Sequence, residues 1–157
     1  MARWGKCDFR QLEKLQNQLQ ALEKSELDVF FVDASKTLAA RLLALVIPAT
    51  PVGTYPKSSG KKGGTLRRGW GAKNAAGGKS YAQSLPVTKN GSVYTVEIIN
   101  PVEYASYVEF GHRTVSGGWA EGQYMLTISE EKLKQIAPSV LEKMLLQKLR
   151  EACNGGN

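Results

Sequence analysis

Between Pro48 and Gly64 the chain reads PATPVGTYPKSSGKKGG, 17 residues rich in proline, glycine, serine and lysine. No apolar face of helical or strand period runs through it, so it reads as a loop. A loop of this length is uncommon inside a compact domain and belongs with functional segments or segments that order on assembly. Residues 48–64 are therefore expected to be mobile in the free subunit. The whole chain has 157 residues, the size of one domain, so a single core has to be assembled from both sides of this loop.

On the N-terminal side, Asp8 is placed to cap a first helix, and Leu12, Leu15, Leu19 and Leu22 follow as one apolar stripe. The pattern loses phase near Ser25. A second helix then covers about Leu27 to Ile47, with Val29, Phe30, Val32, Leu38, Leu42, Leu45 and Val46 as core candidates. Pro48 and Pro51 end it, because proline lacks an amide donor and biases the preceding residue toward extended backbone. These N-terminal helices occupy residues 8–47.

Beyond the loop, residues 65–100 read as a small antiparallel sheet. Thr65–Gly71 is expected as a short strand with Leu66 and Trp70 as its apolar contacts, and Gly71–Lys79 as a glycine-rich tip. Tyr81–Lys89 and Ser92–Asn100 flank Asn90-Gly91, a hairpin signal because both residues tolerate positive φ. Residues 102–111 form a short helix ended by Gly111. His112–Gly122 is a further glycine-rich loop that contains Trp119. Two closing helices, Gln123–Ile136 and Pro138–Ala152, cover residues 123–152, with Val140, Leu141, Met144, Leu145 and Leu149 on the apolar face of the second. The expected fold is α+β, a single domain with a small antiparallel sheet packed against N- and C-terminal helices.

Charge is concentrated. From Ala34 to Glu97 there are ten basic residues before the first acid; the remaining 21 − 10 = 11 basic residues face 14 acidic ones, a net of −3. The formal charge of +7 therefore belongs to one central segment, which points to an acidic protein partner or a polyanion. The two cysteines, Cys7 and Cys153, form no disulfide framework. No apolar run approaches the ~20 residues of a membrane span, and the first thirty residues lack a signal-peptide core. A soluble protein without membrane contact is expected.

Catalytic patterns are missing. His112 is the only histidine. Gly78-Lys79-Ser80 imitates the end of a phosphate loop, but Lys73 stands where that motif needs its first glycine. Glu97, Glu103 and Glu109 are spaced six apart, which pairs no two on one helical face. No enzyme, cofactor or metal is expected. Arg67, Arg68 and Trp70 combine charge with an aromatic, as single-strand binders do, so a nucleic-acid-binding module using residues 57–89 is the alternative reading.

Three stretches in order carry a family resemblance. Thr50-Pro51-Val52 is followed by Gly63-Gly64-Thr65-Leu66-Arg67-Arg68-Gly69-Trp70; Val96–Asn100 by Tyr104-Ala105-Ser106-Tyr107-Val108-Glu109-Phe110-Gly111; and Trp119 and Gly122 by Tyr124-Met125-Leu126. Together they resemble the gene-product-ten-type family of tailed-bacteriophage neck and tail-completion proteins, with a longer, more basic first loop. Gln123-Tyr124 replaces the family's proline-phenylalanine, which points to the branch of contractile-tailed phages and phage-derived particles. The resemblance implies a structural virion protein, assembled in the host bacterial cytoplasm, that forms a hexameric ring at the head–tail junction. Its partners would be copies of itself, the tail tube protein, a neck or head-closure protein and the sheath, with DNA close by in the lumen. The residues expected at its interfaces are Lys57, Lys61, Lys62, Arg67, Arg68, Trp70, Tyr104, Tyr107, Glu109, Phe110 and Trp119.

Overall fold

A computed structural model describes residues 24–71 and 75–154. The expected first helix, with Asp8 and the leucines at 12, 15, 19 and 22, lies outside the described residues, as do Cys7 and Lys73. The first described element, α1, spans Lys24–Ala49. Leu43, Val46 and Ile47 are fully buried on it, whereas Val29, expected in the core, is exposed. The apolar face is rotated toward Ala39, Leu43 and Ile47 because a second helix packs there. Pro48 falls in the last helical turn, and the chain leaves the helix at Thr50.

That second helix, α3, is Ala75–Ser84, where the end of a glycine-rich tip and the start of a strand from Tyr81 were expected. Glycine at 78 serves close approach: a Cβ there would stand 3.1 Å from both the Ile47 Cδ1 and the Leu43 Cβ. Ala82, one turn further on, is fully buried in the same seam. Small residues that read as loop composition are here the groove into which α1 packs.

Thr65–Gly71 is also corrected. Thr65–Arg68 is one helical turn, α2, and not a strand. Leu66 and Trp70 are both buried as expected. A spacing of four places two residues on one face of either a helix or a strand, so this pair could not decide between them.

The remaining strands form two separate hairpins instead of one sheet. β1 (Val87–Asn90) pairs antiparallel with β2 (Val93–Val96), with Asn90 opposite Val93. The connecting pair is thus Gly91-Ser92, with Gly91 at φ 62°. Val96 and Ile98 pack on the core, which is the one covered face of this hairpin. After α4 (Ala105–Phe110), β3 (Gly111–Arg113) pairs with β4 (Trp119–Glu121), so the expected loop at 112–122 is a second hairpin.

The chain closes with α5, Met125–Asn154, one helix through Pro138 where two were expected. Pro138 deprives the Lys134 carbonyl of its partner, and both residues are exposed, so water can take the vacancy. The architecture is α+β: long helices from the two ends of the described chain pack around Leu43, Ile47, Trp70 and Met125, with two short hairpins at the flank. Among the described residues no helix is long and apolar enough to cross a membrane.

Candidate functional site: an aromatic and basic contact surface

Thr50 is fully buried where α1 ends. Its hydroxyl donates to the Val46 carbonyl at 2.7 Å and accepts the Trp70 indole N–H at 2.8 Å. Arg67 sends Nε and Nη2 to the Thr50 carbonyl at 3.1 and 2.7 Å, and Nη2 to the Pro48 carbonyl at 3.4 Å. A guanidinium fork on the last carbonyls of a helix satisfies orphan acceptors and lies at the negative end of the helix dipole. Arg67, expected at an interface, thus spends its fork inside the subunit on the end of α1. Trp70, 3% exposed, is likewise internal and unavailable to a partner.

A second latch holds the other end. Glu109 is 5% exposed. Its Oε2 accepts the Leu126 amide at 2.9 Å; its Oε1 accepts the Thr127 amide at 2.9 Å and the Thr127 hydroxyl at 2.7 Å. A carboxylate from α4 therefore caps the start of α5, where unpaired amides and the positive dipole end favour an anion. Glu109, expected at an interface, is a structural cap. Asn100 ties the intervening chain down: its Nδ2 donates to the Leu66 carbonyl at 2.9 Å and its Oδ1 accepts the Val102 amide at 3.2 Å.

These latches fix the backbone from which the exposed aromatics project. Tyr104, Tyr107, Phe110 and Trp119 are 43%, 58%, 61% and 60% exposed. Gly111, at φ 84°, turns α4 directly into β3, and the Trp119 ring lies over it, 3.1 Å from where a Cβ would stand. Tyr107 meets His112 with ring centroids 5.7 Å apart. Phe110 borders a shallow apolar groove of about 260 Å³ with Ile98, Ile99 and Leu126.

Tyr104 faces the other way, onto a groove of about 280 Å³ shared with Val52, Tyr55 and Lys62. The structure thus brings the basic loop and the first of the aromatics together. That loop has local order: Lys57–Ser59 is a 3-10 turn, the Ser59 hydroxyl donates to the Pro56 carbonyl at 2.7 Å, and Arg68 Nη1 reaches the Gly63 carbonyl at 3.2 Å. Arg68 also contacts the Thr65 hydroxyl at 3.3 Å. Lys57, Lys61 and Lys62 are exposed, and among the described residues the ion pair is a different one, Lys89 with Asp28 at 2.7 Å. Among the described residues no three of His, Cys, Asp and Glu gather to hold a metal.

Side chains of this kind, large and amphipathic on a fixed backbone with a cationic rim, are those that protein–protein contacts commonly use. The chain belongs to the HK97-gp10-like family, “Bacteriophage HK97-gp10, putative tail-component”, which it matches over residues 13–111, more than half of its length. It is accordingly a phage tail component, a virion protein whose contacts are with other virion proteins. No curated protein and no solved structure matches the chain.

Proposed function

We propose that the protein is the subunit of a hexameric ring at the head–tail junction, which terminates the tail tube and joins it to the neck beneath the portal. The observation that carries this reading is the set of four half-exposed aromatics, Tyr104 to Trp119, held outward by internal latches. Aromatic side chains lose little conformational entropy on docking and supply much of the energy at such contacts. In this reading the aromatics meet the neighbouring copy and the tube. Lys57, Lys61 and Lys62 meet an acidic neck protein, or the sheath of a contractile tail. DNA in transit has to slide, and a lumen lined with lysines would hold it. No reaction or cofactor is required.

Electron microscopy of particles assembled with variants tests the proposal. Tyr104→Ala and Trp119→Ala should fold, by circular dichroism, and fail to complete tails. Lys61→Glu combined with Lys62→Glu should block attachment of heads to tails. Complete tails in both aromatic variants would refute the assigned surface. If the native protein binds duplex DNA with a steep salt dependence that the double lysine change abolishes, the nucleic-acid role of residues 57–89 replaces the protein-partner role.

A further inference from the structure

The groove beside Tyr104 has features that a flat contact face does not need. It holds about 280 Å³ between the basic loop and α4. Buried Leu66 and half-buried Val108 form its floor, the exposed Val52, Tyr55 and Tyr104 stand at its sides, and Lys62 lies at its rim. The walls are preformed, because the two limbs of the loop touch backbone to backbone. A Cβ at Gly63 would stand 2.0 Å from the Gly53 carbonyl oxygen and 2.9 Å from Val52 Cγ1, so only glycine fits there. Tyr55 folds back on the first limb, its hydroxyl 3.1 Å from where a Gly53 Cβ would be. Arg67 holds that limb through the Thr50 carbonyl at 2.7 Å, and Arg68 holds the other through the Gly63 carbonyl at 3.2 Å.

We propose that this groove takes a linear acidic segment of a partner protein. One large apolar side chain of that segment sits over Leu66 between Tyr55 and Tyr104, and carboxylates on either side of it meet Lys62, Lys61 and Lys57. The proposal rests on the reading that these lysines meet an acidic protein, and adds the form of the partner, a chain segment in place of a folded face. Charge sets the sign of the occupant. No aspartate or glutamate lines the groove, and the chain holds none between Asp33 and Glu97. Lys57, Lys61 and Lys62 are exposed and make no ion pair among the described residues. Three like charges within six residues of one loop are relieved by an incoming anion. The floor sets the kind of occupant. Its volume lies below the range of about 300–1,000 Å³ usual for small-molecule sites and suits a single anchoring side chain. Aliphatic Leu66 and Val108 offer a nucleic acid neither a ring to stack on nor a donor to a base edge. An apolar seat with a one-signed rim is the pattern by which short charged segments are recognised.

The test is fluorescence anisotropy on the full chain with labelled peptides of the form Glu-Asp-X-Asp-Glu, where X is phenylalanine, leucine or alanine. Gln-Asn-Phe-Asn-Gln is the uncharged control. The phenylalanine and leucine peptides should bind, and the alanine and uncharged peptides should bind about tenfold or more weakly. Val52→Asp, which puts a carboxylate into the groove, and Lys62→Glu should each weaken the phenylalanine peptide by about tenfold or more. Lys134→Glu makes the same charge change at an exposed site on α5 outside the groove, and should leave binding within about twofold. Circular dichroism checks that the variants fold, and Lys62, being exposed, keeps the test decisive should Val52→Asp unfold the chain. No binding of the phenylalanine and leucine peptides overturns the proposal. Equal binding of the alanine peptide, or equal loss in Lys62→Glu and Lys134→Glu, also overturns it, because charge alone would then explain the contact. A labelled thymidine oligonucleotide that binds more tightly than the peptides and is lost with Lys62→Glu overturns it in favour of single-stranded nucleic acid. Failure of the peptides to bind strikes the groove alone, whereas unimpaired head attachment with Lys61→Glu and Lys62→Glu strikes the acidic-partner reading beneath it.

Discussion

Glu109→Ala separates a structural cap from an interface residue. The native carboxylate is nearly buried and receives the Leu126 amide at 2.9 Å and the Thr127 amide and hydroxyl at 2.9 and 2.7 Å. Losing a helix cap costs about 1 kcal/mol, and up to about 2 where it is well placed. The partly buried charge at the dipole's positive end adds up to about 2 kcal/mol. We therefore take about 3 kcal/mol for the alanine variant, within the range for leaving buried donors unpaired. For a chain of this size that lowers the unfolding midpoint by about 6–12 °C. Glu109→Gln keeps the shape and one acceptor, loses the charge, and turns an amide group toward a backbone N–H. It should fall between native and alanine, at about 1–2 kcal/mol. Urea and thermal unfolding followed by circular dichroism read both changes. An alanine variant within about 0.5 kcal/mol of native, the range of an ordinary surface change, would refute the cap. If that variant also failed to assemble, Glu109 would be returned to the interface.

Arg67→Lys should destabilise almost as much as Arg67→Ala, by about 1–2 kcal/mol in urea melts, because one ammonium cannot reproduce the forked contact with the Thr50 and Pro48 carbonyls. Gly78→Val should cost about 1–3 kcal/mol as α3 is pushed off Leu43 and Ile47, with Gly78→Ala clearly milder in the same melts. The Asp28 carboxylate, then the Tyr94 hydroxyl, hold the Lys89 ammonium above the ordinary lysine value. The stabilisation from that raised pKa is complete below the ordinary value and is lost as pH rises through the folded one. Exchange protection of the β1–β2 hairpin should therefore fall only in strong alkali, and Lys89→Met should remove that step.

Legibility in the sequence followed the range of the interactions. α1 and the helical character of residues 125–152 were readable because amphipathic periodicity is local. The hairpin at Asn90-Gly91 was readable to within one residue because turn chemistry is local too. What failed depended on partners far along the chain. Ala75–Ser84 has little apolar content of its own, and it is a helix because Gly78 and Ala82 let α1 approach. The role of Glu109 was hidden by a separation of 17 residues from the Leu126 amide that donates to it. One signal did exist: Gln123-Tyr124 precedes α5 without a serine, threonine, aspartate or asparagine to cap it, so the cap had to come from elsewhere. The exposure of Tyr104, Tyr107, Phe110 and Trp119 was not decidable from spacing, because a short helix shows the same pattern whether it faces a core or a partner.

The residues of the three family-like stretches, with the lysines of the basic loop that the first one brackets, fall into two physical groups. Thr50, Arg67, Trp70, Asn100 and Glu109 face inward and hold the ends of α1 and α5 to the central segments. Their chemistry is specific because each satisfies backbone groups at one geometry, and replacing one would unlatch a helix end. A chain carrying them in this order is committed to this arrangement of helix ends whatever it assembles with. Tyr104, Tyr107, Phe110, Trp119 and the lysines at 57, 61 and 62 are exposed, and the internal contacts of Tyr107 with His112 and of Trp119 with Gly111 leave most of their surface to solvent. The first group therefore licenses the fold, and the second is where the proposed partner contacts would be read. Substitutions in the first group should be read in unfolding experiments, and those in the second in assembled particles. A variant of the outer group that melts like the native protein but leaves tails unfinished locates a partner; a variant of the inner group cannot, because it alters the platform from which every contact projects.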